Sequence, residues 1–196
     1  MNWIKHPVTL KGNKVHLLPL EREHFDALAV LAKDERIWTY LSLNGTDKEE
    51  LLLSLKSSLL KRAAGEEYPF VAVEKATGKI FGTTRFMEIE QQNKGLEIGW
   101  TWYHPDYWRT GYNRECKLLL LSYCFEELKT IRVQLKTWDK NTRSRTAIEN
   151  LGAKFEGVLR NRIIRYDGII RDSAFYSIID TEWNEVKQKL KEKIRT

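Results

Sequence analysis

Between Gly95 and Leu128 the chain passes from a strand pattern, through a polar turn holding one glycine, into a helix that is apolar on nearly every side. A helix apolar all round has to be buried, and the strand that feeds it has to lie in the same core. Leu96, Ile98, Trp100 and Trp102 alternate with Glu97, Gly99 and Thr101, the period-two signature of a strand that Tyr103 prolongs. His104-Pro105-Asp106 breaks the strand, Trp108 to Arg114 forms a short polar turn, and Glu115 to Leu128 carries the helix.

The first turn of a helix leaves backbone N–H groups without partners, and its dipole adds about half a positive charge there, so an anion is favoured. Gly111 lets a ligand approach the backbone closely, and Arg109 and Arg114 add full charges. The chemistry this suggests is phosphate or pyrophosphate binding by the stretch Arg109, Thr110, Gly111, Tyr112, Asn113 and Arg114. A glycine turn before a helix is also an ordinary connection, so the remainder of the chain has to supply the context.

Val15 to Leu20 reads as a first strand, followed by a helix from about Glu21 with Phe25, Leu28, Leu31 and Ala32 on one face. Asn44-Gly45 marks a turn, and Thr46-x-x-Glu49 is a capping-box pattern opening a leucine-rich helix. Tyr68–Glu74 and Lys79–Glu90 are strand-like runs, as is Ile131–Trp138. Asp139-Lys140-Asn141 then leads into a helix over about Thr142–Asn150 that stops at Gly152. Val158–Tyr166 and Ile169–Ile179 flank Asp167-Gly168, a two-residue hairpin signal. From about Thr181, Trp183, Val186 and Leu190 form a narrow apolar stripe on a charged helix, suited to packing on the core or on a partner chain, such as a second copy in a homodimer. The tally is seven strands and five helices of an α/β protein. One domain over residues 1–196 is expected, with a core of about 15–180 and an accessory helix of about 181–195.

Three blocks of this sequence resemble the GNAT superfamily of acetyl-CoA-dependent N-acetyltransferases, especially the branch similar to enzymes that acetylate the N-termini of ribosomal proteins. Leu96 to Leu128 looks like that family's central strand, pyrophosphate loop and helix; Trp138 to Gly157 looks like its second cofactor block; Pro19 to Leu31 resembles its opening helix. The family loop, Gln/Arg-x-x-Gly-x-Gly/Ala, falls on Trp108 to Asn113, where only Gly111 matches strictly. The resemblance implies a mixed, mostly antiparallel sheet whose fourth and fifth strands splay to admit the pantetheine arm of acetyl-CoA. It also implies that Trp102 and Tyr103 present backbone groups to that arm, that Asn141 hydrogen-bonds it, and that Trp38 and Tyr40 lie in the acceptor wall. Asn141 could equally cap the helix that follows it.

Acyl transfer to an amine needs a neutral nucleophile, a polarised carbonyl and a stabilised leaving thiolate. Glu97 is the one carboxylate in the central strand and is the candidate base. Members of the family often place a tyrosine acid seven residues after the asparagine of the second block. Here Ile148 occupies that position, leaving Ser144, a water or no acid at all.

Composition narrows the setting. No run reaches the roughly 18 apolar residues of a membrane span, and the start of the chain lacks a signal peptide, so a cytoplasmic protein is expected. Cys116 and Cys124 lie eight residues apart on one helix, about 12 Å, too far for a disulfide. The four histidines have no ligand spacing, and no metal is expected. The net charge of +6 comes from residues 109–196, where 19 Lys and Arg face 12 Asp and Glu. No basic stretch combines clustering with exposed aromatics, so direct nucleic-acid binding is not expected. Within the enzyme class, a small cationic amine remains an alternative acceptor if Asp34, Glu35, Glu66 and Glu67 line the cleft. Outside it, the alternative is a silent acyl-CoA-binding module.

Overall fold

In the computed structural model, which describes residues 2–195, the strands are Leu10–Lys11 (β1), Val15–Pro19 (β2), Tyr68–Glu74 (β3), Ile80–Glu90 (β4), Gly95–Tyr103 (β5), Arg132–Trp138 (β6), Lys154–Ile164 (β7) and Ile170–Ile179 (β8). The helices are Phe25–Leu31 (α1), Lys48–Ala64 (α2), Tyr112–Ser122 (α3), Thr142–Asn150 (α4) and Trp183–Arg195 (α5). The sheet has eight strands, one more than periodicity indicates. The addition is β1, whose two residues pair with Leu17 and His16 and are too few to show an alternation.

Strand order is β1-β2-β3-β4-β5-β6-β8-β7. Every neighbouring pair is antiparallel except β5 and β6, which run parallel. That parallel pairing covers only Gly95↔Arg132, Leu96↔Val133 and Glu97↔Gln134. Beyond it β5 stays with β4, and β6 follows β8 as far as Trp138↔Ser173, so the two strands diverge. A bulge accompanies the divergence: Trp100 adopts φ +47°, and β4 steps from Thr83↔Trp102 to Arg85↔Gly99. Bulges of this kind bend a strand and re-aim its groups.

The sheet separates two cores. Phe70, Phe86, Leu96, Ile98, Leu120 and Tyr176 belong to the one shared with α3 and α5; Leu28, Trp38, Leu51, Leu55, Val71 and Trp102 belong to the one beneath α1 and α2. The stripe on α5 is spent inside the chain, since Trp183 stacks on Phe125 at 5.2 Å and Val186 and Leu190 are buried. Helix α2 is capped by Asp47, which accepts from Glu49 N at 2.9 Å and Glu50 N at 3.2 Å; Thr46 instead turns to Asn44. The turn between β7 and β8 is closed by Arg165 N donating to Ile169 O at 2.9 Å, giving a three-residue loop in place of the expected two.

Candidate active site

The diverging strands open a cleft of about 940 Å³ that reaches from the turn before α3 to the β7–β8 hairpin. At one end lies the N-terminus of α3. Gly111 is its cap residue at φ +89°, and no side chain caps the first turn. A Cβ built on Gly111 would meet no protein atom within 4 Å, and Gly111, Asn113 and Arg114 line the cleft. Glu115, the one acid of this turn, is buried, and its carboxylate is already engaged, accepting from the backbone N–H groups of Asn13 and Lys14. What remains is an uncompensated N-terminus with room in front of it, which fits a phosphate group.

Three arginines surround it. Arg109, at φ +62°, makes no hydrogen bond or ion pair among the described residues, and Arg114 donates to the Lys193 carbonyl. Arg143 lies 4.0 Å over the Trp108 ring, which is itself fixed by Nε1 donating to Tyr103 O at 2.9 Å. Trp108, in the position where the family pattern has Gln or Arg, thus serves as the platform for a cation from α4. Arg143 is absent from the residues singled out by the sequence; its only signal is its place in the first turn of a helix opened by Asn141.

At the point where the strands part, Glu97 is 1% exposed. It alternates with Leu96 and Ile98, which face the α3 core, so its carboxylate points to the α1–α2 side. There it accepts from Gln134 Nε2 at 2.9 Å and pairs with Lys136 Nζ at 2.8 Å. Lys136 also reaches Glu88 at 2.7 Å. Burial raises the Glu97 carboxyl above its ordinary value, with Lys136 and Gln134 opposing that rise. On the other side of the sheet, buried Lys117 of α3 donates to Thr101 Oγ1 at 2.7 Å, and Thr101 contacts Thr84 Oγ1 at 2.7 Å. Burial lowers the Lys117 ammonium to about 8.

This geometry is paralleled by the comparisons with known proteins. The acetyltransferase (GNAT) domain family matches residues 14–154. The chain belongs to the GNAT acetyltransferases. A Bacillus licheniformis relative, "Uncharacterized N-acetyltransferase p20", is 26% identical over 176 residues, 89% of this chain and 98% of that protein. A Bacillus subtilis relative, "Putative ribosomal N-acetyltransferase YdaF", is 29% identical over 110 residues, 56% of this chain and 59% of that protein. The crystal structure of a GCN5-related N-acetyltransferase from Brucella melitensis superposes with a TM-score of 0.87 at 28% identity, covering 95% of this chain and 85% of that one. The chain is therefore an N-acetyltransferase of a family that uses acetyl-CoA.

Within this GNAT fold most residues singled out from the sequence meet in the one cleft: Glu97, Trp102, Tyr103, Thr110, Asn113 and Asn141 all line it, as do Arg109, Gly111, Arg114, Ser144 and Tyr40. Tyr112 contributes its place in the first turn of α3, while its hydroxyl turns away to Glu74 at 2.5 Å. Trp38 is a correction. It is 1% exposed, donates from Nε1 to Ala32 O at 2.7 Å and packs on Trp102 at 5.2 Å, so it is core and not acceptor wall. A Cβ on Gly45 would fall 2.1 Å from its ring, which is why a glycine stands there. Asn141 caps α4, its Oδ1 accepting from Ser144 N at 3.0 Å, which leaves its amide N–H groups for a ligand. Among the described residues no helix is long and apolar enough to cross a membrane, and no group of His, Cys, Asp or Glu could hold a metal ion.

Proposed function

We propose that this acetyltransferase, as one domain over its whole length, moves the acetyl group of acetyl-CoA to the α-amine of a protein or peptide N-terminus. The donor supplies an activated thioester; the chain positions it and manages protons. The open N–H groups of α3, with Arg109 and Arg143, bind the pyrophosphate. The β6-facing backbone groups of Ile98 to Tyr103, left unpaired where the strands part, and the Asn141 amide hold the pantetheine arm. Glu97 takes the proton of the attacking amine directly or through one water, and Tyr40 contacts the acceptor.

The observation that carries the choice of acceptor is the charge of the cleft. Its lining holds nine Lys and Arg against Glu88, Glu97 and Glu115, and each of these carboxylates already has a protein partner. Asp34 is bound by Arg36, Glu67 lies in a buried pair with Arg85, and neither they nor Glu35 and Glu66 line the cleft. Such walls repel a polycation and suit a single neutral amine. At pH 7.5 an α-amine is roughly a quarter neutral, whereas a lysine amine is only about 0.1% neutral. Similarity to a relative named for a ribosomal role is in keeping with this reading.

The test is thiol release from acetyl-CoA with three acceptors: short peptides with a free N-terminus, the same peptides N-terminally blocked with a free lysine, and a polyamine. Turnover confined to the free N-terminus is expected. Turnover on the polyamine alone would replace this reading with a small-amine acetyltransferase.

A further inference from the structure

In this chain the position at which the family places a tyrosine acid holds Ile148, which is 7% exposed and packed into the α3 core. Ser144 offers only an unactivated hydroxyl, a far weaker acid than the thiol it would have to protonate. Lys117 is different. It projects from α3 into the lining of the same cleft, it is buried, and its one hydrogen-bond partner among the described residues is Thr101. An ammonium has three N–H groups, so two are left without a protein acceptor in a place where an unsatisfied donor is costly.

Its side of the sheet matters. Thr101 alternates with Trp102, which packs beneath α1 and α2, so Thr101 and Lys117 face the α3 side of the gap while Glu97 faces the other. The phosphate-binding end of the cleft belongs to α3 as well. A donor anchored there enters from the Lys117 side, and an amine activated by Glu97 attacks from the opposite side. The nucleophile and the departing sulfur therefore lie toward opposite faces. Thr101 itself sits in the bulge at the opening, which puts the ammonium beside the gap.

We propose that Lys117 is the acid of the transfer, donating a proton to the CoA sulfur as it leaves. The amine lone pair forms the C–N bond, and the C–S pair departs on sulfur. One proton passes from the amine nitrogen to Glu97 and one from the Lys117 ammonium to sulfur, so the products are the amide and the CoA thiol. Glu97 and Lys117 return to their starting states through solvent once the products leave. The lowered affinity of Lys117 for its proton, to about 8, matches it to a thiol of about 8.5. The titratable groups near Lys117 are Glu97, on the other face of β5, whose charge favours the ammonium, and Cys116 on its own helix, which burial keeps as the neutral thiol.

This inference rests on the donor site proposed above, and the experiment separates the two. CoA is titrated into wild type and Lys117→Met by calorimetry, and the thiolate of bound CoA is followed by its ultraviolet absorbance against pH. The expected result is similar affinity in both proteins, with the thiol of bound CoA titrating at a different pH in wild type than in the variant, because the Lys117 ammonium and the sulfur share a proton. The alkaline fall of kcat near pH 8 should also be absent from the variant. Equal thiol titration in the two proteins would overturn the role of Lys117 alone. Failure of wild type to bind CoA would overturn the donor site and this role with it. If Lys117→Met does not fold, Lys117→Gln, which keeps a hydrogen bond to Thr101, gives the same reading.

Discussion

The two ends of the cleft are built by different means. The end at α3 is made of chain path: a glycine at φ +89°, a helix start without a side-chain cap, Arg109 without a partner among the described residues and Arg143 stacked on an aromatic ring. The end at Glu97 is made of buried charge, a carboxylate tied to Lys136 and Gln134 from β6 and, across the sheet, an ammonium held by Thr101. The first is suited to anchoring a ligand, because donors are exposed and need no rearrangement. The second is suited to moving protons, because burial shifts Glu97 upward and Lys117 downward, each away from its charged form. The comparison teaches that affinity and turnover should separate under mutation.

The largest expected effect is at the anchoring end. Gly111→Glu places a side chain at φ +89° and sets a negative charge at the proposed pyrophosphate site. Acetyl-CoA affinity should fall more than a hundredfold, read by calorimetry. The clash is not with the protein, since a Cβ there meets nothing within 4 Å. Charge and backbone strain are the causes, and Gly111→Ala should be much milder.

Next comes Glu97→Gln, which retains the shape and removes the proposed base. We expect kcat to drop about a hundredfold or more with acetyl-CoA affinity within threefold of wild type, in line with the usual worth of a general base. Because burial raises the Glu97 carboxyl, the acid limb of kcat in wild type should lie above the ordinary carboxylate range and should vanish in the variant. Equal pH profiles would remove Glu97 from the mechanism.

Stability offers a third contrast. The Lys117 ammonium is lowered from 10.5 to about 8, so the folded state holds that proton less tightly than the unfolded chain. The stability penalty is complete below about pH 8 and disappears as pH rises toward about 10.4. Lys117→Met should therefore be more stable than wild type at pH 7, by up to about 3 kcal/mol, with the gain shrinking above pH 8. Thermal melts across that range check the sign. The smallest effect is expected from Arg143→Ala, which leaves the N–H groups of α3 in place and should weaken acetyl-CoA binding about tenfold, less so at high salt.

The same contrast explains what could be read from the sequence. Gly111, Arg109 and Asn113 lie close together in the chain, and a turn before a helix is a local pattern, so the turn and helix start that form this end of the cleft were legible. Asn141 was also legible, because capping depends on residues three apart. Glu97 stood out as the only carboxylate in an apolar strand. Its partners Gln134 and Lys136 did not, because strand register is a tertiary property and nothing local tells which residue of β6 meets β5. Lys117 was hidden for another reason: it sits in a leucine-rich helix where a single lysine reads as a solvated face. Trp38 was misplaced because an aromatic between two helices looks the same from sequence whether it lines a cleft or fills a core. The eighth strand escaped because two residues carry no period.

A parallel calorimetric titration of acetyl-CoA into wild type, Gly111→Glu and Glu97→Gln separates the two ends of the cleft. Wild type and Glu97→Gln should bind alike, and Gly111→Glu should not bind. Unchanged binding by Gly111→Glu, or loss of binding by Glu97→Gln, would contradict the separation of an anchoring end from a reacting end.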